Sequence, residues 1–318
     1  MPRNQGKQKR LKLGVFYDGR PGHEKQTRGI VEILSQLALV DVTEIELERK
    51  TFWRELCGWL EYFLSTKTDC SQHSAEFDLL IGTGSRTHIP MLLYKKKFAV
   101  PVVTCMSPSP LLIDHFDLCF IPQHDGISDR ENVYKTIGPP NCSVTRGEQH
   151  ADRGLILLGG IDNKSHQWQT ETIEKYLDVL LQDENIRYWT ITSSPRTPFE
   201  TVRMVEEFAA GFNNVDFFRF EDTERGWVER QYNRNKFVWV TADSMSMVYE
   251  ALTAGCSVGL LPVVWRKKKS KFRRSEEFLI KEGLVVSFDA WAQDVGQWQV
   301  QEPLNEAARC ADEILKRW

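Results

Sequence analysis

No stretch of this chain approaches the ~20 consecutive apolar residues that a membrane-spanning helix needs. The longest apolar runs, Phe98–Met106 and Ser257–Trp265, are short, interrupted by proline and read as buried strands. The seven cysteines (57, 70, 105, 119, 142, 256 and 310) contain no C-x-x-C pair and are odd in number. That spacing argues against a zinc ribbon or a disulfide framework and for a reducing compartment. Charge of one sign is also missing: 41 Lys and Arg against 44 Asp and Glu leave a net charge of −3, so no polycation argues for nucleic acid. The basic start MPRNQGKQKRLK is not followed by the apolar core of a signal peptide. A Walker motif is absent, as is a G-x-G-x-x-G with a later acidic partner, which removes support for an ATPase or a dinucleotide oxidoreductase. There is no H-x-x-x-H spacing and no D-x-D triplet, so the expectation is a site without metal or cofactor.

What is present starts at Leu11–Gln26. An apolar run meets Asp18-Gly19-Arg20-Pro21-Gly22-His23, and a helical pattern from Glu24 to Leu39 follows. A strand, a glycine turn and a helix N-terminus put unpaired N–H groups and a positive dipole end beside a ligand. His23 stands at that junction, where a general base can face a substrate. The plain alternative is a tight turn with an incidental histidine. Further strands at Val40–Leu47, Phe77–Ile81, Val100–Cys105 and Leu118–Ile121 alternate with helical stretches. Glycine or hydroxyl residues (Gly82, Gly84, Ser85, Ser107) follow their ends. That alternation predicts a doubly wound parallel sheet, with ligands beyond the carboxyl ends of the strands. Asp18, Arg20, Gly22, His23, Gly84, Ser85 and Ser107 would share that edge.

Pro139-Pro140 and the polar stretch Asn141–Arg153 break the pattern and read as a linker. The period then restarts, with strands at Gly154–Leu158, Tyr188–Thr192, Val215–Phe220, Phe237–Val240 and Val258–Pro262. The fold class expected is therefore α/β, with two Rossmann-like domains facing across a cleft. They would comprise residues 1–145 and 146–318, the last helix packing back on the first domain. Trp53, Trp59, Trp189 and Trp239 fit core positions.

Three strand ends in the second half suit an anion. Gly159-Gly160 is followed by Asn163, Lys164 and Ser165, and Ser193 by Arg196; Asp243 and Ser244 open a helix that carries Ser246 and Glu250. Backbone N–H groups, hydroxyls and cations so placed suit a diphosphate, and Glu250 suits ribose hydroxyls. Each loop alone is equally an ordinary capped turn. The basic run Arg266–Arg274 is either a solvated loop or a contact for anionic headgroups at a membrane surface or for the ligand's phosphates.

Seven stretches carry a resemblance: DGRPGHEKQTRGI (18–30), IGTGSRTH (81–88), LLGGIDNKSHQW (157–168), TSSPRTP (192–198), TADSMSMVYEALTAG (241–255), KFRRSEEFLIKEGL (271–284) and PLNEAARCADEI (303–314). In this order they resemble the mitochondrial fission ELM-one (elongated mitochondria) family, whose bacterial members are described as glycosyltransferases of the GT-B type. The chain is also similar, more distantly, to the lipid II-forming N-acetylglucosaminyltransferase. The resemblance implies His23 as catalytic base and Glu250 on the donor ribose. It implies Gly159, Gly160, Asn163, Lys164, Ser193, Arg196, Asp243, Ser244 and Ser246 around a nucleotide-sugar donor. Ser257 departs from the distant pattern, which has proline there. A lipid-linked or glycan acceptor is implied, and a cytoplasmic protein, peripheral at the inner face of the membrane through Arg266–Arg274. The competing reading is non-enzymatic: plant members of the family act as recruiting factors, so the shell can serve as a binding module. The strand-end polar residues that distinguish an enzyme are present. A nucleotide-sugar epimerase is disfavoured by the GT-B resemblance and by the lack of a Y-x-x-x-K pair.

Overall fold

A computed structural model describes residues 10–47, 52–64, 76–143, 147–267, 270–294, 298 and 302–318. The chain divides into two compact units, Met1–Cys142 with Asn305–Trp318, and Ser143–Leu304.

In the first unit, β1 (Leu11–Tyr17) sends alternate side chains to opposite faces, as a strand must. Leu13, Val15 and Tyr17 enter one core and Phe16 the other. α1 (Pro21–Leu37) begins on a proline, whose fixed φ suits a first helical position where its missing N–H is not needed. Thr27, Ile30, Val31 and Leu34 form its buried stripe. There follow β2 (Val40–Glu46), α2 (Phe52–Leu64), β3 (Leu79–Thr83), α3 (Ser85–Phe98), β4 (Val102–Cys105), β5 (Leu118–Pro122) and β6 (Val133–Thr136). All six strands are parallel, in the order β2-β1-β3-β4-β5-β6. Between β1 and β3 the winding changes direction, which leaves a crevice at the strand ends.

The second unit holds β7 (His150–Leu157), β8 (His166–Gln167), α4 (Thr170–Leu180), β9 (Tyr188–Thr192), α5 (Phe199–Ala209), β10 (Val215–Phe218), α6 (Trp227–Tyr232), β11 (Asn235–Thr241), α7 (Met245–Thr253), β12 (Ser257–Leu261), β13 (Val264–Trp265), α8 (Lys271–Lys281), β14 (Val286–Ser287) and α9 (Phe288–Gln293). Its parallel sheet runs β10-β9-β7-β11-β12-β14, so the winding reverses between β7 and β11. Two indoles fill one face, Trp189 at 1% and Trp239 at 0% exposure. A Cβ on Gly154 would lie 2.3 Å from the Trp189 ring, and one on Gly259 2.4 Å from that of Trp239, so each ring needs a glycine on the neighbouring strand.

Several elements differ from the sequence reading. α1 begins at Pro21 rather than Glu24, because Arg20 closes the turn as the N-cap. β7 starts at His150, inside the stretch read as linker; its first three residues are exposed, which hid the strand pattern. β6 is half-buried at a sheet edge and the two-residue strands β8, β13 and β14 are too short for a period to register. Trp59 is half-buried on α2, packed against the core of that face and stacked on Phe63, and the Trp53 side chain lies outside the described residues.

α10 (Glu306–Arg317) returns to the first unit. Cys310, Ala311 and Ile314 complete the core beneath β1 and α1. Ile314 is fully buried, so Ile314→Ala is expected to destabilise the first unit by about 2–5 kcal/mol in urea melts.

Candidate functional site

At the first switch point Asp18 follows the last residue of β1, and its side chain is fully buried. Its Oδ1 accepts from the Arg20 N–H (3.1 Å) and its Oδ2 from His23 Nδ1 (2.8 Å). With Nδ1 donating to the carboxylate, Nε2 of His23 is left as the basic nitrogen. His23 therefore sits within the first turn of α1, not on the loop before it. Its side chain keeps 18% exposure. Gly84, after β3 and at the N-cap of α3, has φ +96°, and a Cβ there would lie 2.2 Å from His23 Nδ1 and 2.8 Å from Asp18 Oδ2. Both the backbone angle and the space demand glycine there. Arg20 and Gly22 are exposed beside the pair, and Ser85 is exposed at the start of α3. Ser107, beyond β4, donates to Asp125 instead of standing alone.

The sequence reading missed His88, one helical turn past Gly84 and 5% exposed. Thr104 Oγ1 donates to the Gly82 carbonyl (3.0 Å) and stands 3.4 Å from His88 Nε2, so that nitrogen carries the proton. Burial, and then the charge of His23, push the imidazole down to about 4, against a smaller opposing pull from Asp18. A period of helical apolar residues cannot flag such a histidine; only its presence among Thr87, Ile89 and Met91 on a buried face does.

At the second switch point the three anion-suited loops are bonded to one another. Gly159 N–H donates to Thr241 Oγ1 (2.7 Å) and Gly160 N–H to Asp243 Oδ2 (3.1 Å). These N–H groups are therefore not open to a phosphate, contrary to the sequence expectation. The glycines are required by packing: a Cβ would lie 2.2 Å from Asp243 Oδ2 and 2.0 Å from the Arg196 carbonyl oxygen respectively. Arg196 donates to Asp243 Oδ2 (2.8 Å) and Ser244 Oγ (3.1 Å) while its side chain stays 42% exposed. Ser244 is the N-cap of α7, yet neither it nor Asp243 caps by side chain, because both are turned toward Arg196. Asp243 Oδ1 is buried and has no hydrogen-bond partner among the described residues. Ser193 Oγ accepts from the Phe220 N–H (2.9 Å) and is buried, so it pins the turn after β10 rather than facing solvent. Ser246 is exposed on the first turn of α7, Glu250 is half-buried on its second, and Asn163 and Lys164 are exposed.

The basic run is partly engaged within its own unit. Arg266 Nε donates to the His166 carbonyl and Arg273 Nε to Glu277 (2.8 Å); Lys268 and Lys269 lie outside the described residues. Among the described residues no helix is long and apolar enough to cross a membrane.

Two parallel sheets, each wound both ways from a switch point with polar loops at the strand ends, define a protein of GT-B architecture. The profile of the mitochondrial fission ELM1 family matches residues 21–318, and the chain belongs to that family. No curated protein sequence matches it significantly. Among solved structures it is similar to a Listeria monocytogenes protein provisionally assigned as a UDP-N-acetylglucosamine 2-epimerase (TM-score 0.58, 13% identity, 96% of this chain and 95% of that one). It is similar to the glycosyltransferase of kitacinnamycin (TM-score 0.54, 10% identity, 97% and 99% covered). It is also similar to the Neisseria meningitidis UDP-GlcNAc 2-epimerase bound to UDP-GlcNAc (TM-score 0.52, 13% identity, 97% and 100% covered). Epimerases thus share this architecture, and the GT-B resemblance does not count against one.

His88 provides a pH test. Its ordinary value near 6.5 is lowered in the fold, so its neutral form is preferred there and stability falls as pH drops from 6.5 toward 4. The loss amounts to about 3 kcal/mol at most. His88→Gln is expected to flatten urea-melt stability across that window.

Proposed function

We propose that the chain is a glycosyltransferase that moves a sugar from a nucleotide-sugar to a hydroxyl of a cell-envelope or lipid-linked acceptor without a metal. The observation that carries this reading is the Asp18–His23 pair at the first switch point, a buried carboxylate 2.8 Å from the inner nitrogen of a partly exposed imidazole. Such a pair fixes the tautomer and the ring orientation of a general base. His23 Nε2 takes the proton of the acceptor hydroxyl as its oxygen bonds the anomeric carbon, and the bond to the nucleoside diphosphate breaks. Asp18 supports the imidazolium that forms, and Arg20, Gly22, Gly84, Ser85 and Ser107 border the acceptor.

The donor belongs to the second unit. Its diphosphate meets the exposed side of Arg196 and the first turn of α7 at Ser246, a cation and a helix dipole in place of a metal. Glu250 receives the ribose hydroxyls, with Asn163 and Lys164 at the rim. The exposed Lys267 and Lys271 of the basic run serve a lipid-linked acceptor at the inner membrane face.

One observation favours a second reading, a non-enzymatic binding module. Gly159, Gly160, Arg196, Asp243 and Ser244 already bond to one another, which suits a shell that needs no ligand.

Thermal melting with UDP, GDP, CMP and their sugars separates the two. A ligand at a hundred times its Kd is expected to stabilise the chain by about 2.7 kcal/mol, and Arg196→Ala to remove that gain. No stabilisation by any nucleotide sinks the donor site and leaves the binding module. With an active donor found, His23→Ala and Asp18→Asn are each expected to lower transfer by about 10²–10⁴-fold while nucleotide binding survives. Transfer at the wild-type rate in His23→Ala would remove the base assignment.

A further inference from the structure

α2 is apolar on two sides. Its sequence, FWRELCGWLEYFL, is mostly large and apolar. One side packs inward: Tyr62 is buried in the core that α3 also covers, and Trp59 packs against that core. The other side faces water. Leu60, Phe63 and Leu64 are 50%, 52% and 75% exposed within little more than one turn. Glu61, also exposed, is the acidic residue among them. Single apolar residues on a surface are ordinary, but neighbouring ones bordered by charge mark an interaction site. A helix apolar on both sides belongs where both are shielded from water.

The border of the patch is basic. α3 ends beside α2 with Lys95, Lys96 and Lys97 in its last turn. Lys95 is held by Asp117 and by the His115 carbonyl. Lys96 donates to the Tyr62 carbonyl near the end of α2 and lies 4.3 Å over the Tyr62 ring. Lys97 is exposed next to it. Within the patch, Phe63 stacks on Trp59 (5.8 Å between centroids) and meets Tyr62 edge-on (5.2 Å). Leucines and aromatic rings with lysines at their border are the composition of a helix that lies in the headgroup boundary of a bilayer. The lysines favour an anionic partner and the leucines an apolar one. A bilayer with anionic headgroups offers both, phosphates outside and acyl chains within.

We propose that α2 docks the first unit on an anionic membrane surface, with Leu60, Phe63 and Leu64 entering the acyl boundary and Lys96 and Lys97 meeting lipid phosphates. This contact is separate from Lys267 and Lys271 of the second unit and does not depend on sugar transfer. α2 runs back between parallel strands, so it lies antiparallel to them. With α2 in the plane of the headgroups, the first sheet lies along the membrane, and the edge that carries His23 opens sideways rather than into the bilayer.

The test is co-sedimentation of the full chain with vesicles of phosphatidylcholine alone and of phosphatidylcholine mixed with phosphatidylglycerol. Binding is expected on the mixed vesicles and to be weaker on the neutral ones. Leu60→Asn together with Leu64→Asn, both at exposed positions, is expected to lower the partition roughly tenfold or more while the melting temperature holds. Lys97→Gln is expected to lower it about fivefold, on the mixed vesicles alone. The proposal is overturned if the chain binds neither vesicle, or if the partition falls only with Lys267→Gln and Lys271→Gln and not with the α2 pair. It is also overturned if the α2 pair instead splits a dimer in analytical ultracentrifugation, which would make this face a contact between two copies. Vesicle binding through α2 without stabilisation by any nucleotide keeps the membrane surface and loses the transferase reading; nucleotide stabilisation without vesicle binding does the reverse.

Discussion

A carboxylate taken out of water has to be paired, and both units are built around that demand. Asp18 and Asp243 are buried aspartates, one at each switch point. Each accepts from one backbone N–H and one basic side chain: Arg20 and His23 in the first unit, Gly160 and Arg196 in the second. The loops at the strand ends take the shape that satisfies these carboxylates. The glycines follow from that shape, since a side chain on Gly84 would occupy the place of His23 and one on Gly159 that of the Asp243 carboxylate.

The two pairs differ in what they leave over. Asp18 consumes only the inner nitrogen of His23 and leaves the outer one as a base. Asp243 holds Arg196 by one guanidinium nitrogen and retains one buried oxygen of its own without a partner among the described residues. The first arrangement leaves one ring nitrogen of a partly exposed imidazole outside the carboxylate's reach. The second is a cation already half-neutralised, so an incoming anion has to compete with Asp243 for it. Substitution of Asp243 therefore changes both the charge and the aim of Arg196.

Much of the architecture was legible because it rests on strong periodic signals. Buried strands such as Tyr188–Thr192 and the glycine-closed helix after Ser244 follow from local pattern alone. His23 was legible because it follows a strand and a glycine turn. The role of the second-unit glycines was not, since a G-G at a strand end looks the same whether it offers its N–H groups or buries them. That distinction depends on Thr241 and Asp243, about eighty residues away in the chain. The environment of His88 was illegible for the same reason: Thr104 and His23, which set its surroundings, come from other elements of the sheet and from α1.

The placement of α10 carries a consequence for how the chain acquires its structure. The first unit is interrupted: its sheet and α1 come from the start of the sequence, and Cys310, Ala311 and Ile314 of its core come after the whole of the second unit. During synthesis from the N-terminus, the first sheet emerges with an apolar face that stays uncovered while residues 143–304 are made. The second unit can finish first, although it began later. The earlier half of the protein is therefore the last to close, and a ribosome stalled before residue 310 would release a chain with one finished unit and one open core.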